Sequence, residues 1–151
     1  MTINKYDVRF TNDRIGKLVK EKSFAYGTEN DVLDSPEKAA KLIELVFDGS
    51  NLTQEMLWLI ALNGARRVSG VFEVSRGTLT ASLVHPREIF TRAMLSGAAS
   101  IIIAHNHPSG ILDVSEQDRE VSKRIKMAGE LIGIRLDDHI IVSAGEFVSA
   151  M

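Results

Sequence analysis

Apolar residues in this chain fall into short blocks, and the spacing within each block marks the element it belongs to. Residues 1–34 are the exception. Lys17, Lys20, Glu21 and Lys22 surround Leu18 and Val19 with no sustained period, so this part is expected to be a polar arm or a loosely packed extension. At Asp34-Ser35-Pro36-Glu37 a capping residue precedes a proline at the first helical position, and Ala40, Ile43, Leu45 and Val46 supply apolar positions until Gly49 stops the helix. The domain proper is therefore expected over 35–151. Met56–Leu62 is a continuous apolar run closed by Asn63-Gly64, and 68–74 continues with strand-like composition, which together predict a β-hairpin. A short strand over 79–84 is expected next. His85-Pro86-Arg87-Glu88 then opens a helix with Ile89, Phe90, Ala93 and Met94 on its apolar side and Gly97 as its stop, His85 being a loop residue before it.

Residues 100–104 are short, β-branched and without polar alternation, the pattern of a strand covered on both faces and central in a sheet. Beyond Pro108-Ser109-Gly110, residues 115–131 have helical spacing. Residues 134–142 read as a final strand interrupted by Asp137-Asp138-His139. Strands alternating with helices predict an α/β layered single domain, with a central mixed β-sheet flanked by helices.

Composition narrows the classes without changing that picture. The chain has 151 residues, 44% hydrophobic and 25% charged, ordinary for one domain with a single core. No apolar run approaches the roughly 18 residues of a membrane span, and the first residues lack the apolar stretch of a signal peptide, so a cytoplasmic protein without membrane contact is expected. The absence of cysteine excludes disulfides, thiol catalysis and cysteine-containing zinc fingers. Any metal must then be held by histidine and carboxylate. A formal charge of -2 gives no general pull toward nucleic acid.

One residue breaks the helical pattern. At roughly 100° per residue, Val121, Ile125, Ala128 and Ile132 share a sector with Asp118, while Glu116, Glu120, Lys123 and Arg124 fall largely outside it. A carboxylate facing a core is costly unless it is paired, hydrogen-bonded or metal-bound. Ser115-Glu116-Gln117-Asp118 also fits a capping box, which would account for Asp118 without any ligand. The histidines add weight to the metal reading. His105 and His107 end the 100–104 strand, and residues two apart in extended backbone point to one side. Two imidazoles and one aspartate suit zinc with a fourth position open. Asn106, between them, would point away. A base for a metal-activated water could be Glu55, Glu73 or Glu88; Glu55, at the mouth of an apolar strand, would reach the histidines if that strand runs antiparallel to 100–104.

These residues together resemble the JAB/MPN metalloproteases with their JAMM motif, specifically the RadC-like branch. The resemblance is carried by Glu55, by His105-Asn106-His107-Pro108-Ser109-Gly110, and by Ser115 and Asp118, and it extends over roughly 35–148. Thr53-Gln54-Glu55, Gly77-Thr78-Leu79, Val84-His85-Pro86-Arg87-Glu88 and Asp138-His139-Ile140-Ile141-Val142 take part in it. It implies a cytidine-deaminase-like architecture, zinc ligands at His105, His107 and Asp118, a general base at Glu55, and Ser115 steadying the water or the developing oxyanion. It further implies hydrolysis of a peptide or isopeptide bond. His139 is expected to be structural or to support the ligands from behind. The first 34 residues are too short for the helix-hairpin-helix region that full-length RadC-like proteins commonly carry. The competing expectation is a non-catalytic, DNA-associated or scaffolding module, with Arg119, Lys123, Lys126, Arg66 and Arg67 as a basic patch in weak nucleic-acid association. Walker loops, His-Glu-x-x-His helices and the cysteines of nucleobase deaminases are absent.

Overall fold

The two apolar runs lie side by side in the middle of one sheet. In the computed structural model, which describes residues 1–27 and 32–151, strands β1 (Thr2–Phe10), β2 (Gly16–Ala25), β3 (Met56–Leu62), β4 (Val68–Arg76), β5 (Ser100–Asn106), β6 (Arg135–Ser143) and β7 (Glu146–Ser149) form a seven-stranded sheet in the order β2-β1-β4-β3-β5-β6-β7. The sheet is mixed: β5 pairs with β6, and β1 with β4, in parallel, and the other neighbours are antiparallel. Three α-helices flank it among the described residues, α1 (Pro36–Phe47), α2 (Pro86–Leu95) and α3 (Glu116–Ile132). The expected α/β layered fold is the one observed.

Every residue of β3 and β5 is buried because helices cover both faces. On one face Trp58, Ile60, Ile102 and Ala104 pack with Ala39, Leu42 and Ile43 of α1. On the other, Leu57, Leu59, Ile101 and Ile103 pack with Ile89 and Phe90 of α2 and Val121 and Ile125 of α3. Val121 and Ile125 are fully buried, each contributing roughly 1.5–3 kcal/mol. They clamp α3 to the sheet on the side toward which the odd-numbered residues of β5 point. At the far end of α3, Gly129 has no room for a side chain: a Cβ there would stand 2.2 Å from the Ile134 carbonyl oxygen, so the return into β6 runs close over the helix.

Helix α1 starts as expected, with Ser35 Oγ accepting from the Lys38 N–H at 3.2 Å and Pro36 in the first turn. Its stop differs. Asp48, not Gly49, takes the left-handed conformation (φ 51°), and Gly49 is required because a Cβ there would come within 2.9 Å of the Trp58 ring.

Three other expectations are corrected. Residues 2–25 are no loose arm: β1 and β2 form an antiparallel hairpin, and β1 joins β4 in the sheet. Residues 28–31 of that stretch lie outside the described residues. The hairpin gave no periodic signal because β2 is an edge strand with both faces largely open; Ile3 alone is deeply buried, while Tyr6, Val8 and Leu18 pack partly. Its lysines blunt an exposed edge. Residues 79–84 form a turn and not a strand, Leu83 and Val84 N–H both donating to the Thr80 carbonyl while Leu79 and Val84 are tucked into the core. Asp137-Asp138-His139 does not interrupt β6 but makes a bulge in it. Leu136 pairs with Ile101 and Asp138 with Ile102, so the extra residue lets Leu136 and His139 face the same side. The Asp137 carboxylate is taken up by the Ser100 hydroxyl at 2.7 Å and by Arg66 and Arg135.

Candidate metal centre

The antiparallel pairing of β3 and β5 sets Leu57 opposite His105, which brings Glu55 to the end of the sheet where the histidines stand. Asn106 fixes this junction. Its Oδ1 accepts from the Met56 N–H at 2.7 Å and its Nδ2 donates to the Gln54 carbonyl at 2.9 Å, so one buried amide grips the backbone on both sides of Glu55. Asn106 thus points away from the histidines, as expected, toward a task that spacing does not reveal. The segment between β4 and the turn that replaces the expected 79–84 strand supplies further holds: the Gly77 N–H donates to the Glu55 carbonyl at 2.8 Å, and the Leu79 N–H donates to Glu55 Oε2 at 3.3 Å.

His105, on the last turn-free stretch of β5, faces α3. Its Nε2 lies 3.0 Å from Asp118 Oδ1 and 3.1 Å from His107 Nε2, and His107 Nε2 lies 3.3 Å from Asp118 Oδ2. The two rings therefore turn to one point, with the carboxylate of the next helix. His107 is held from three directions. Its N–H donates to the Val142 carbonyl, its carbonyl accepts from the Ser143 hydroxyl at 2.6 Å, and its Nδ1 lies 2.9 Å from the Ile111 carbonyl oxygen. A carbonyl can only accept, so His107 carries its ring hydrogen on Nδ1 and presents a bare Nε2 to the cluster.

Asp118 closes the helix cap and faces the imidazoles at once. Ser115 Oγ accepts from the Asp118 N–H at 3.0 Å, and Asp118 Oδ2 accepts from the Ser115 N–H at 2.9 Å, closing a capping box. The same carboxylate, 3% exposed, meets both imidazoles. Burial alone would raise its pKa, but hydrogen bonds from His105 and Ser115 together with the charge of His105 outweigh it and hold the carboxyl well below the usual range. The N-terminus of α3 acts in the same direction. The donor atoms of His105, His107 and Asp118 lie within 4.8 Å of one another and could hold a metal ion. The chemistry fits: the bare Nε2 of His107 and the ionised Asp118 carboxylate meet Nε2 of His105 at one buried point, where a cation could take the place of the His105 ring hydrogen.

Glu55, His107, Ser115 and Asp118 line one open crevice of about 450 Å³, with Thr78, Ser109 and Gln117 among its walls. Of the three carboxylates left open as a base, Glu55 alone lies there. Glu73 is engaged by Arg76 at 2.6 Å and Glu88 by Arg92 at 3.0 Å. Arg66 and Arg119 of the suggested basic patch have separate engagements, Arg66 with Asp137 beside the start of β5 and Arg119 with the Val114 carbonyl beside its end.

Behind the cluster, buried His139 meets His105 and buried Ser122 meets His139. Ser122 was the residue that helical spacing could have exposed, since it follows Asp118 by one turn on the same face. Burial and the neighbouring charge of His105 push the His139 imidazole down to about 3, against an opposing pull from Asp118. An unfolded chain protonates this imidazole near 6.5, whereas the folded one resists until about 3, so between those values the unfolded state binds more protons. The metal-free protein is expected to lose thermal stability as pH falls through that window, and His139→Gln to flatten the loss. Melting curves of both proteins from neutral to acid pH measure it, and equal slopes would contradict the assignment.

A family model for the RadC-like JAB domain matches residues 33–151. The chain is 42% identical over 136 residues to a UPF0758 protein of Clostridium beijerinckii, covering 89% of this chain and 58% of that protein. It is 47% identical over 115 residues to one of Clostridium kluyveri, covering 76% and 50%, and 40% identical over 131 residues to one of Rubrobacter xylanophilus, covering 87% and 57%. The chain thus spans little more than half the length of these relatives. No helix among the described residues is long and apolar enough to cross a membrane.

Proposed function

The chain belongs to the RadC-like JAB domain family, and from that premise we propose that it is a zinc-dependent hydrolase of amide bonds, a metallopeptidase or isopeptidase. The observation that carries this reading is the convergence of His105, His107 and Asp118 at one edge of a crevice that also holds Glu55. His105 and His107 would hold the ion through Nε2 and Asp118 through its carboxylate. Two nitrogens and one oxygen, without cysteine, match the three-ligand sets of catalytic zinc. Zinc in such a site supplies Lewis acidity and brings the pKa of a water down toward about 7.

The chain's own groups do the rest. The Glu55 carboxylate takes the proton of the attacking water and returns it to the nitrogen of the leaving amine as the carbon–nitrogen bond breaks. Ser115 Oγ already accepts from the Asp118 N–H, which leaves its hydroxyl hydrogen free to donate to the oxyanion that forms on the substrate carbonyl. The Asn106 amide and the Leu79 N–H keep Glu55 in place. The substrate is a peptide or isopeptide laid along the crevice. Purified protein is expected to carry about one zinc per chain, measured by elemental analysis, and His107→Ala to carry none. Equal zinc in both would end the assignment.

A further inference from the structure

His105 turns Nε2 to the cluster and Nδ1 to a second imidazole. Nδ1 of His105 lies 2.7 Å from Nε2 of His139, and Nδ1 of His139 lies 2.6 Å from Oγ of Ser122. Ser122 Oγ is 3.2 Å from the backbone carbonyl oxygen of Asp118 and 3.4 Å from that of Ala150. All three side chains are buried, the two imidazoles fully. None can turn to bulk water for a partner.

Resting on the reading of zinc on His105, His107 and Asp118, we propose that His139 and Ser122 are positioning residues that hold His105 in its metal-binding tautomer. The direction follows from counting hydrogens. A neutral imidazole has one N–H, so a His105 that gives Nε2 to a cation carries its hydrogen on Nδ1. That N–H donates to His139, whose Nε2 must then be bare. His139 in turn carries its hydrogen on Nδ1 and donates to Oγ of Ser122. The Ser122 hydroxyl hydrogen goes to a carbonyl, of which the nearer belongs to Asp118. Each donor finds one acceptor, and the chain of bonds that starts on one ligand residue ends on the backbone of another.

The opposite direction would run from the Ser122 hydroxyl to His139 Nδ1 and from His139 Nε2–H to His105 Nδ1. It would put the His105 hydrogen on Nε2 and block the nitrogen that faces the cluster. The two carbonyls beside Ser122 can only accept, and by drawing its hydroxyl hydrogen they favour the metal-binding direction. Removing a partner that fixes a histidine ligand in this way typically costs about 10- to 100-fold in metal affinity. Here the partner is an imidazole that the bulge at Asp137 swings to the right face of β6.

Zinc affinity, measured by competition with a coloured chelator, is expected to fall by about 10- to 100-fold in His139→Leu. In His139→Gln most of the loss should return, because the amide oxygen can accept from the His105 Nδ1–H. In the zinc-loaded wild type, imidazole nitrogen NMR should show His139 protonated on Nδ1 and bare on Nε2, a measurement that stands even where His139→Leu fails to fold. A folded His139→Leu variant binding zinc as tightly as the wild type overturns the relay, and so does a loaded wild type with the His139 hydrogen on Nε2. Either result leaves the zinc site intact. Wild-type protein that takes up no zinc overturns the metal reading, and the relay with it.

Discussion

Glu55→Gln is expected to leave zinc content at the wild-type level while amide hydrolysis falls by about a hundred- to ten-thousandfold, the usual worth of a positioned general base. The amide has nearly the size and shape of the carboxylate, and its oxygen can still accept from the Leu79 N–H. The backbone grip of Asn106 on Gln54 and Met56 does not involve the side chain that changes, so the strand end should stay where it is. None of the three candidate ligands is altered. What disappears is the ability to take a proton from water, so the loss should appear in kcat with KM little moved. Steady-state kinetics on a peptide or isopeptide substrate, together with zinc analysis of the same samples, measure both quantities. Full turnover in the variant would remove Glu55 as the base, and zinc lost along with activity would mean that Glu55 acts through the metal site and not on the proton.

The parts of this site that could be read from the chain are those whose pattern is local. Met56–Leu62 and residues 100–104 are buried on both faces, and an uninterrupted apolar run reports that directly. Asp118 announced itself by standing in the sector of Val121 and Ile125, and the structure shows why two explanations of it competed: the carboxylate caps α3 and faces the imidazoles together. The parts that could not be read depend on partners far along the chain. The β1–β2 hairpin buries little of its own surface and is held by pairing with β4. Leu79 and Val84 looked like strand residues because both are apolar, yet their burial comes from the ends of a turn. Asn106 gave no sign of its grip on the backbone beside Glu55, and His139 was expected to be structural or to support the ligands without a named partner; both contacts arise from registers between strands. No periodicity encodes those registers.

Asp118 tests whether the cap and the metal ligand can be separated. In Asp118→Asn the amide oxygen can go on accepting from the Ser115 N–H, while the amide nitrogen puts a donor where a carboxylate oxygen faced the imidazoles. The charge that would bind a cation is gone. This variant is expected to bind no zinc and yet to fold, metal-free, with its capping box closed, losing only the stability that the ionised carboxylate gains beside His105. Asp118→Ala also loses zinc, but it opens the capping box at the same stroke, and its metal-free form should be less stable by about 1 kcal/mol. For the wild type, zinc at a thousandfold excess over its Kd adds about 4 kcal/mol by mass action. In a domain of this size that raises Tm by on the order of 10 °C. Melting each protein with zinc and with chelator separates the two roles: the shift belongs to the wild type alone, and the gap between the metal-free variants measures the cap. A zinc-dependent shift of equal size in Asp118→Asn would show that the carboxylate caps the helix without holding the ion, and would leave His105 and His107 needing a different third ligand.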